Sequence, residues 1–447
     1  MWYFLYNLAL IIASPAILVI LAAKKRCRRG IPQRLGWNRS EAVTPESIRP
    51  VVWVHAVSLG EVVAAAPLVR MLHDRHSNYR IIVTTVTETG REAVEQRLVG
   101  IAEHRYVPLD FPWMVSRVVD TLRPALFLCI ETELWPNLLR ILADRRVPIV
   151  LVNGRLSSQS YRGYRFIRPL MKQMLACVTF CLLQSRRDAE RITNLGAPAD
   201  RVLCTGNIKF DQPVPHIEKA YADNLRSLLL AEDEELFVAG STHSGEEEQL
   251  LACYRTLLQH YPRLVLLLAP RHIERAAQVE AVAAAKGFAA VRRSLLPAGV
   301  PLKGPRVIVL DSRGELATVY RYAVATFVGG TLAPIGGHNL LEPAIWGKPV
   351  FFGPYTDHCA EIADLLLRAE GGRQVIDGAE LAIHLTAVLN DRSALERMGR
   401  AAQQVVVENR GALEQTVEII TRVLNVRTST LSPQSESFHM KRLAEKP

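Results

Sequence analysis

From Val51 onward short apolar runs alternate with helix-length amphipathic segments, and this alternation restricts the chain to a mostly parallel sheet covered by helices on both faces. The expected strands of the first half are Val51 to His55, Arg80 to Thr84, Arg105 to Pro108, Leu126 to Ile130, Ile149 to Asn153, Phe180 to Gln184 and Arg201 to Thr205. In open sheets of this kind ligands gather beyond the carboxyl ends of the strands, so the residues just after each run are the first candidates for chemistry.

Three such places stand out in the first half. After Val51 to His55 comes Ala-Val-Ser58-Leu-Gly60-Glu61, then a helical run from Val62 to Leu72. Glu61 at that turn can take a proton from a hydroxyl as a general base, or it can be a first-turn acid favoured by the helix dipole. On these residues alone the dipole reading is the better one. After Leu126 to Ile130 stand Glu131 and Glu133, two residues apart, which share a face if extended and are too few for a convincing metal site. After Ile149 to Asn153 comes Gly154-Arg155-Leu-Ser157, whose guanidinium suits a carboxylate or phosphate and can equally be a surface charge.

Gly206-Asn-Ile-Lys209 closes this half, and residues 210–220, with Pro213 and Pro215, form the expected linker to a second α/β body over 221–426. There Phe237 to Ala239 leads into Gly240-Ser241-Thr242-His243-Ser244-Gly245 and three acids, Glu246 to Glu248. That is the signature of a helix start with hydroxyl caps, whose acids would repel a phosphate. Leu264 to Leu268 leads into Ala269-Pro270-Arg271-His272, where Arg271 can neutralise an anion. Strands at Val307 to Leu310 and Ala325 to Val328 deliver the chain to Gly329-Gly330 and Gly336-Gly337, followed by a helix over Asn339 to Trp346 and a strand over Val350 to Phe352. Glycine loops let a phosphate approach the backbone, and His338, Asn339 and Glu342 at helical spacing can face a sugar. Such pairs are also ordinary turns. Residues 380–426 have helical patterning, and 427–447 read as a polar tail.

Trp2 to Ala23 is an apolar run broken by Asn7, Ser14 and Pro15, with Lys24, Lys25, Arg26, Arg28 and Arg29 immediately after it. No basic residue precedes it, so 1–29 reads as a retained N-terminal membrane anchor with a basic collar rather than a cleaved signal, leaving the body on the cytoplasmic side. Pro15 and the marginal length also allow a helix lying in one leaflet. Part of the net charge of +10 falls in this collar. The Arg-rich, aromatic stretch from Arg155 to Arg168 suits anionic lipid head groups better than nucleic acid. Seven scattered cysteines with no CxxC pair read as reduced core residues.

The ordered set His55 to Glu61, Glu131 to Asn137, Asn153 to Ser157, Gly206 to Lys209, Gly240 to His243, Ala269 to His272 and Val328 to His358 resembles the bacterial Kdo transferases along nearly the whole body, anchor included. The resemblance implies a GT-B glycosyltransferase: two Rossmann-like domains facing a cleft, with acceptor binding in 30–209 and CMP-Kdo binding in 221–426. It implies transfer of 3-deoxy-D-manno-octulosonic acid (Kdo) from CMP-Kdo to the lipid A precursor lipid IVA. This happens with inversion, at the cytoplasmic face of the bacterial inner membrane, in lipopolysaccharide synthesis. It reverses the odds on Glu61, which becomes the catalytic base. It places the nucleotide on Ser241, Thr242, Pro270, Arg271, Gly337, His338, Asn339 and Glu342. Ser58, Gly60, Glu131, Glu133, Arg155 and Lys209 are left as acceptor-side candidates. One phosphodiester calls for no metal or other cofactor, and no Asp-x-Asp motif is present. A nucleotide-sugar 2-epimerase shares the outline, and a membrane-tethered, non-catalytic nucleotide-binding scaffold stands as the alternative from another class.

Overall fold

The computed structural model describes residues 1–23, 30–37, 49–212, 218–296 and 305–430. The basic collar, residues 213–217 of the expected linker and residues 431–447 lie outside them. The chain divides into two compact units, Met1–Gln212 with Arg410–Pro447, and Pro213–Asn409.

The first unit is built on a seven-stranded parallel sheet. Its strands are β1 (Val51–His55), β2 (Arg80–Thr85), β3 (Glu103–Tyr106), β4 (Pro124–Ile130), β5 (Ile149–Gly154), β6 (Phe180–Leu183) and β7 (Val202–Cys204), in the order β3-β2-β1-β4-β5-β6-β7. All five β1 residues are buried, as a central parallel strand requires. Alternate side chains feed two cores. Trp53, Phe127, Cys129 and Leu151 pack on one face, and Val52, Val54, Leu128, Val150 and Val152 on the other. Trp53 meets Phe127 edge-on at 5.0 Å and donates its indole N–H to Thr84 Oγ1 at 2.8 Å.

The second face is finished by the end of the chain. The expected C-terminal helical stretch is three helices, Gly378–Asn390, Arg392–Glu408 and Ala412–Thr430. The last contributes Val417, Ile420, Val423 and Leu424 to the first unit's core, so the second unit ends at Asn409 and not at 426. Asp211 secures this return, its carboxylate accepting from the Gly411 (2.6 Å) and Leu413 (2.8 Å) amides.

The second unit repeats the plan with β8 (Glu235–Thr242), β9 (Leu264–Pro270), β10 (Ala290–Arg292), β11 (Val307–Val309), β12 (Ala323–Val328), β13 (Val350–Phe352) and β14 (Gly372–Gln374), ordered β10-β11-β9-β8-β12-β13-β14. All the pairings are parallel. Arg306 and Glu234 form a buried bidentate pair at 2.7 Å, with side-chain exposures of 3% and 5%.

The helix Trp2–Ala23 corrects the expectation of a spanning anchor: among the described residues, no helix is long and apolar enough to cross a membrane. Its first two turns are tied to the body by polar groups. Tyr6 Oη donates to Asp110 Oδ2 at 2.9 Å, Asn137 Nδ2 donates to Asn7 Oδ1 at 2.6 Å, and the Arg140 guanidinium lies 4.9 Å over the Tyr3 ring. Phe4, Leu5, Leu8, Ile11 and Ile12 are exposed along the same helix.

Candidate functional site

The strand order reverses between β1 and β4 in the first sheet and between β8 and β12 in the second, where β10 adds a further swap at the edge. A crevice opens at the carboxyl ends of such a pair. Most of the candidate residues fall at one of these two places.

At the first, β1 ends in His55, fully buried, with Nδ1 3.0 Å from Thr84 Oγ1 and its ring 5.4 Å edge-on from Trp135. Burial pushes this imidazole down to about 4, so it is neutral at pH 7. Ser58 caps the helix Leu59–Arg75, and Glu61, its third residue, closes a capping box. Glu61 Oε2 accepts from the amides of Val57 and of Ser58, the latter at 3.3 Å. Both donors sit on Oε2, which leaves Oε1 for another partner.

A first-turn acid with two amide donors should be strongly acidic. Glu61 is the reverse. Burial, then the charges of Glu131 and Glu133, push its carboxyl up to about 8. Those two acids come from the turn after β4. Glu131, at φ 57, pairs with Lys209 Nζ at 2.8 Å. Glu133 accepts from Trp135 Nε1 at 3.2 Å and is itself raised, chiefly by burial. The two are therefore not an extended pair on one face.

Lys209 is delivered by a buried polar chain that the sequence reading did not single out. Asn207 Oδ1 accepts from the Lys209 amide (3.0 Å), Asn207 Nδ2 donates to Gln184 Oε1 (3.2 Å), and Gln184 Nε2 donates to the Asn153 carbonyl (3.0 Å). Asn153, at φ 56, accepts from the Ile208 amide at 3.1 Å. The signal was available as three amide side chains at consecutive strand ends. Arg155 follows β5, half-buried, with its amide donating to Thr132 Oγ1 at 3.1 Å. Gly60 is exposed, and a Cβ there would meet no atom within 4 Å. Among the described residues, nothing demands glycine at that point.

At the second crevice, β8 runs into Ser241 at φ 56 and Thr242, which is buried and donates to Glu247 Oε1 at 3.0 Å. Glu247 also holds Arg275 at 2.9 Å. Of the three acids expected to repel an anion, Glu246 and Glu247 are thus turned inward and only Glu248 is exposed. The helix Glu246–Leu258 is capped by Gly245, without a side-chain cap. Gly329 lies so close to the β8 exit that a Cβ would fall 2.5 Å from the Ser241 carbonyl oxygen.

His243 and His338, one from each exit, meet Nε2 to Nε2 at 2.8 Å, with stacked rings 5.1 Å apart. His272 lies 6.2 Å from His243, and Arg271, exposed beyond β9, donates its amide to the Thr242 carbonyl at 3.0 Å. Burial, with Arg271, His243, His358 and His272 adding to it, pushes His338 down to about 3. The pair is neutral at pH 7, one nitrogen donating and the other accepting.

The expected helix Asn339 to Trp346 is only Leu341–Ala344. His338 and Asn339 therefore precede it in a turn and share no helical face with Glu342. Asn339 reaches Glu342 through its side chain, Nδ2 to Oε1 at 3.3 Å, and caps Leu341 with Oδ1 at 3.1 Å. The Gly337 amide donates to the Gly330 carbonyl at 2.8 Å. Pro270 ends β9 in register with Thr242. Among the described residues, no group of three or more His, Cys, Asp or Glu side chains is placed to hold a metal ion.

A family model for 3-deoxy-D-manno-octulosonic-acid transferase (kdotransferase) matches residues 29–212. The 3-deoxy-D-manno-octulosonic acid transferase of Haemophilus influenzae is 36% identical over 427 residues, covering 94% of this chain and 98% of that protein. Two solved structures share the fold at low identity. UDP-GlcNAc 2-epimerase from Neisseria meningitidis aligns with a TM-score of 0.58 at 13% identity, over 83% of this chain and all of that one. A glycosyltransferase from Rickettsia africae aligns at 0.56 and 11%, over 84% and 99%.

Proposed function

Because this chain belongs to the 3-deoxy-D-manno-octulosonic-acid transferase family, we propose that it transfers Kdo from CMP-Kdo to lipid IVA with inversion, and that Glu61 is the base. The observation that carries this reading is the Glu61 carboxyl, raised to about 8 at the β1–β4 switch point with its two amide donors on Oε2. A carboxylate of that basicity accepts a proton far better than an ordinary glutamate does. In the proposed step the 6-hydroxyl of the acceptor glucosamine gives its proton to Glu61 Oε1 as its oxygen attacks the anomeric carbon of Kdo. The bond from that carbon to the CMP phosphate oxygen breaks, and CMP leaves with the electron pair. No covalent enzyme intermediate is required.

The open space over Gly60 gives the acceptor hydroxyl room beside Glu61. Lys209 holds one of the two neighbouring charges and so limits how far the base is raised. On the donor side, Ser241, Arg271, His338, Asn339 and Glu342 surround the β8–β12 exit, where we assign the nucleotide and the sugar. The exposed Phe4, Leu5, Leu8, Ile11 and Ile12 suit a helix lying along a membrane surface, where a lipid acceptor resides.

Purified protein incubated with CMP-Kdo and lipid IVA tests the assignment, with CMP release followed and the lipid product read by mass. A lipid heavier by one or more Kdo units is expected from the wild type and not from Glu61→Gln. Folded protein that leaves CMP-Kdo untouched would sink the assignment. Turnover of UDP-GlcNAc by the same preparation would favour the epimerase reading.

A further inference from the structure

Glu246 has no part in the chemistry above, yet it makes an unusual set of contacts. It is fully buried. Its Oε1 accepts from the amides of Thr331 (3.0 Å), Leu332 (2.9 Å) and Ala333 (3.2 Å), and its Oε2 from those of Gly330 (2.8 Å) and His243 (2.8 Å). Four successive amides converging on one point form the kind of nest that elsewhere holds a phosphate. Here the chain's own carboxylate fills it. The amides of 330–333 are therefore spent on shaping the loop rather than on binding a ligand.

The same carboxylate grips both strand exits. Through the His243 amide it fixes the segment after β8, and through residues 330–333 it fixes the segment after β12. The rings that meet across this crevice, His243 and His338, hang from those two segments. Thr331 extends the brace: its hydroxyl donates to the Val328 carbonyl at 2.6 Å and accepts from the Gly353 amide at 2.8 Å, reaching the end of β13.

We infer that Glu246 is a positioning residue of the donor site: it sets the conformation of the 329–338 loop and thereby the placement of His338 against the donor. This rests on the assignment of the donor to the second crevice. Glu246→Gln keeps the size but sets an –NH2 group against main-chain donors, on one oxygen position or the other. Glu246→Ala leaves the nest empty and roomy enough for a small carboxylate.

The test uses the full-length protein, with circular dichroism confirming the fold of both variants. Two readouts run in parallel: steady-state kinetics for each substrate, and hydrogen exchange at the amides of 330–333. Both variants should raise the donor KM at least about tenfold, the effect of losing one charge-assisted hydrogen bond, while the acceptor KM stays unchanged. The four amides should exchange faster. Formate should restore protection and donor KM in Glu246→Ala and leave the wild type and Glu246→Gln unaffected. Native exchange and native donor KM in both variants would overturn the inference, as would a loss of activity that formate does not touch and that leaves these amides protected. If the wild type itself transfers no Kdo, the functional assignment fails, and exchange with and without formate still decides whether Glu246 sets the loop.

Discussion

Replacing Glu61 with Gln should slow transfer by orders of magnitude and, above pH 8, stabilise the first unit. The free acid stands at 4.5 and the folded one at about 8. At 1.36 kcal/mol per pH unit, the ionised folded form is penalised by roughly 5 kcal/mol at most. Solvent screening at a half-buried carboxylate reduces the expected effect to about 2 to 3 kcal/mol. The sign follows from proton uptake. Below pH 4.5 both states are protonated and the penalty is absent. Between 4.5 and 8 the unfolded chain loses its proton first, so wild-type stability falls with rising pH, and above 8 the loss is complete.

Glutamine mimics the protonated form throughout. The variant should therefore match the wild type near pH 4 and exceed it at pH 9. Denaturant unfolding at the two pH values, read by tryptophan fluorescence, to which the first unit contributes five of the six tryptophans, measures this. In the same samples kcat should drop by about 10² to 10⁴, the usual contribution of a general base. A Gln variant less stable than the wild type at every pH would show that Glu61 is an ordinary helix-capping acid. Retained kcat would remove it from the chemistry.

Other perturbations probe neighbouring parts of the argument. Lys209→Met removes the ammonium charge 2.8 Å from Glu131, beside Glu61, so the ascending limb of the pH–rate profile should move to higher pH; an unmoved or lowered limb would refute the coupling. His338, pushed down to about 3 mainly by burial, should show no NMR titration between pH 5 and 8 in the free protein; a midpoint near 6.5 would contradict the described environment. Arg306→Met removes the guanidinium partner of the buried Glu234 carboxylate and should cost about 3 to 5 kcal/mol of the second unit's stability in urea, and a loss below 1 kcal/mol would argue against the pair's importance. Serine at Leu8, Ile11 and Ile12 removes about 1.5 kcal/mol or more of apolar burial per side chain and should sharply reduce flotation with anionic vesicles, whereas unchanged flotation would place the membrane contact elsewhere.

What the sequence disclosed follows burial. Central strands such as Val51–His55 and Val350–Phe352 are continuous apolar runs because both faces of a parallel sheet are covered, and they were legible to the residue. Edge strands were not. β3 is Glu103–Tyr106 rather than Arg105 to Pro108, since Glu103 is spent on an ion pair with Arg80 and looks like a loop residue. β10 and β14 have three residues each with little burial, and no hydropathy pattern marks them.

The site was legible as strand-end residues, and β1 and β4 do bring Glu61, Glu131 and Glu133 into one electrostatic neighbourhood. Their interplay was not, because a first-turn glutamate reads as acidic until its burial is known. Glu246 was hidden for the same reason: in sequence it is one of three acids opening a helix. Family resemblance supplied the role proposed for Glu61, which the residues alone assigned the other way.

The return of Ala412–Thr430 to the first unit reverses the order in which the two units are completed as the chain leaves the ribosome. The second unit is contiguous and holds its whole sequence once residue 409 has emerged. The first unit, begun 212 residues earlier, has Val62, Leu68, Val69 and Val94 on this face already but must wait with part of it uncovered until Val417, Ile420 and Val423 arrive. The half of the molecule made first is the last that can finish folding, and during that wait its apolar face is the part of the nascent protein most in need of a chaperone.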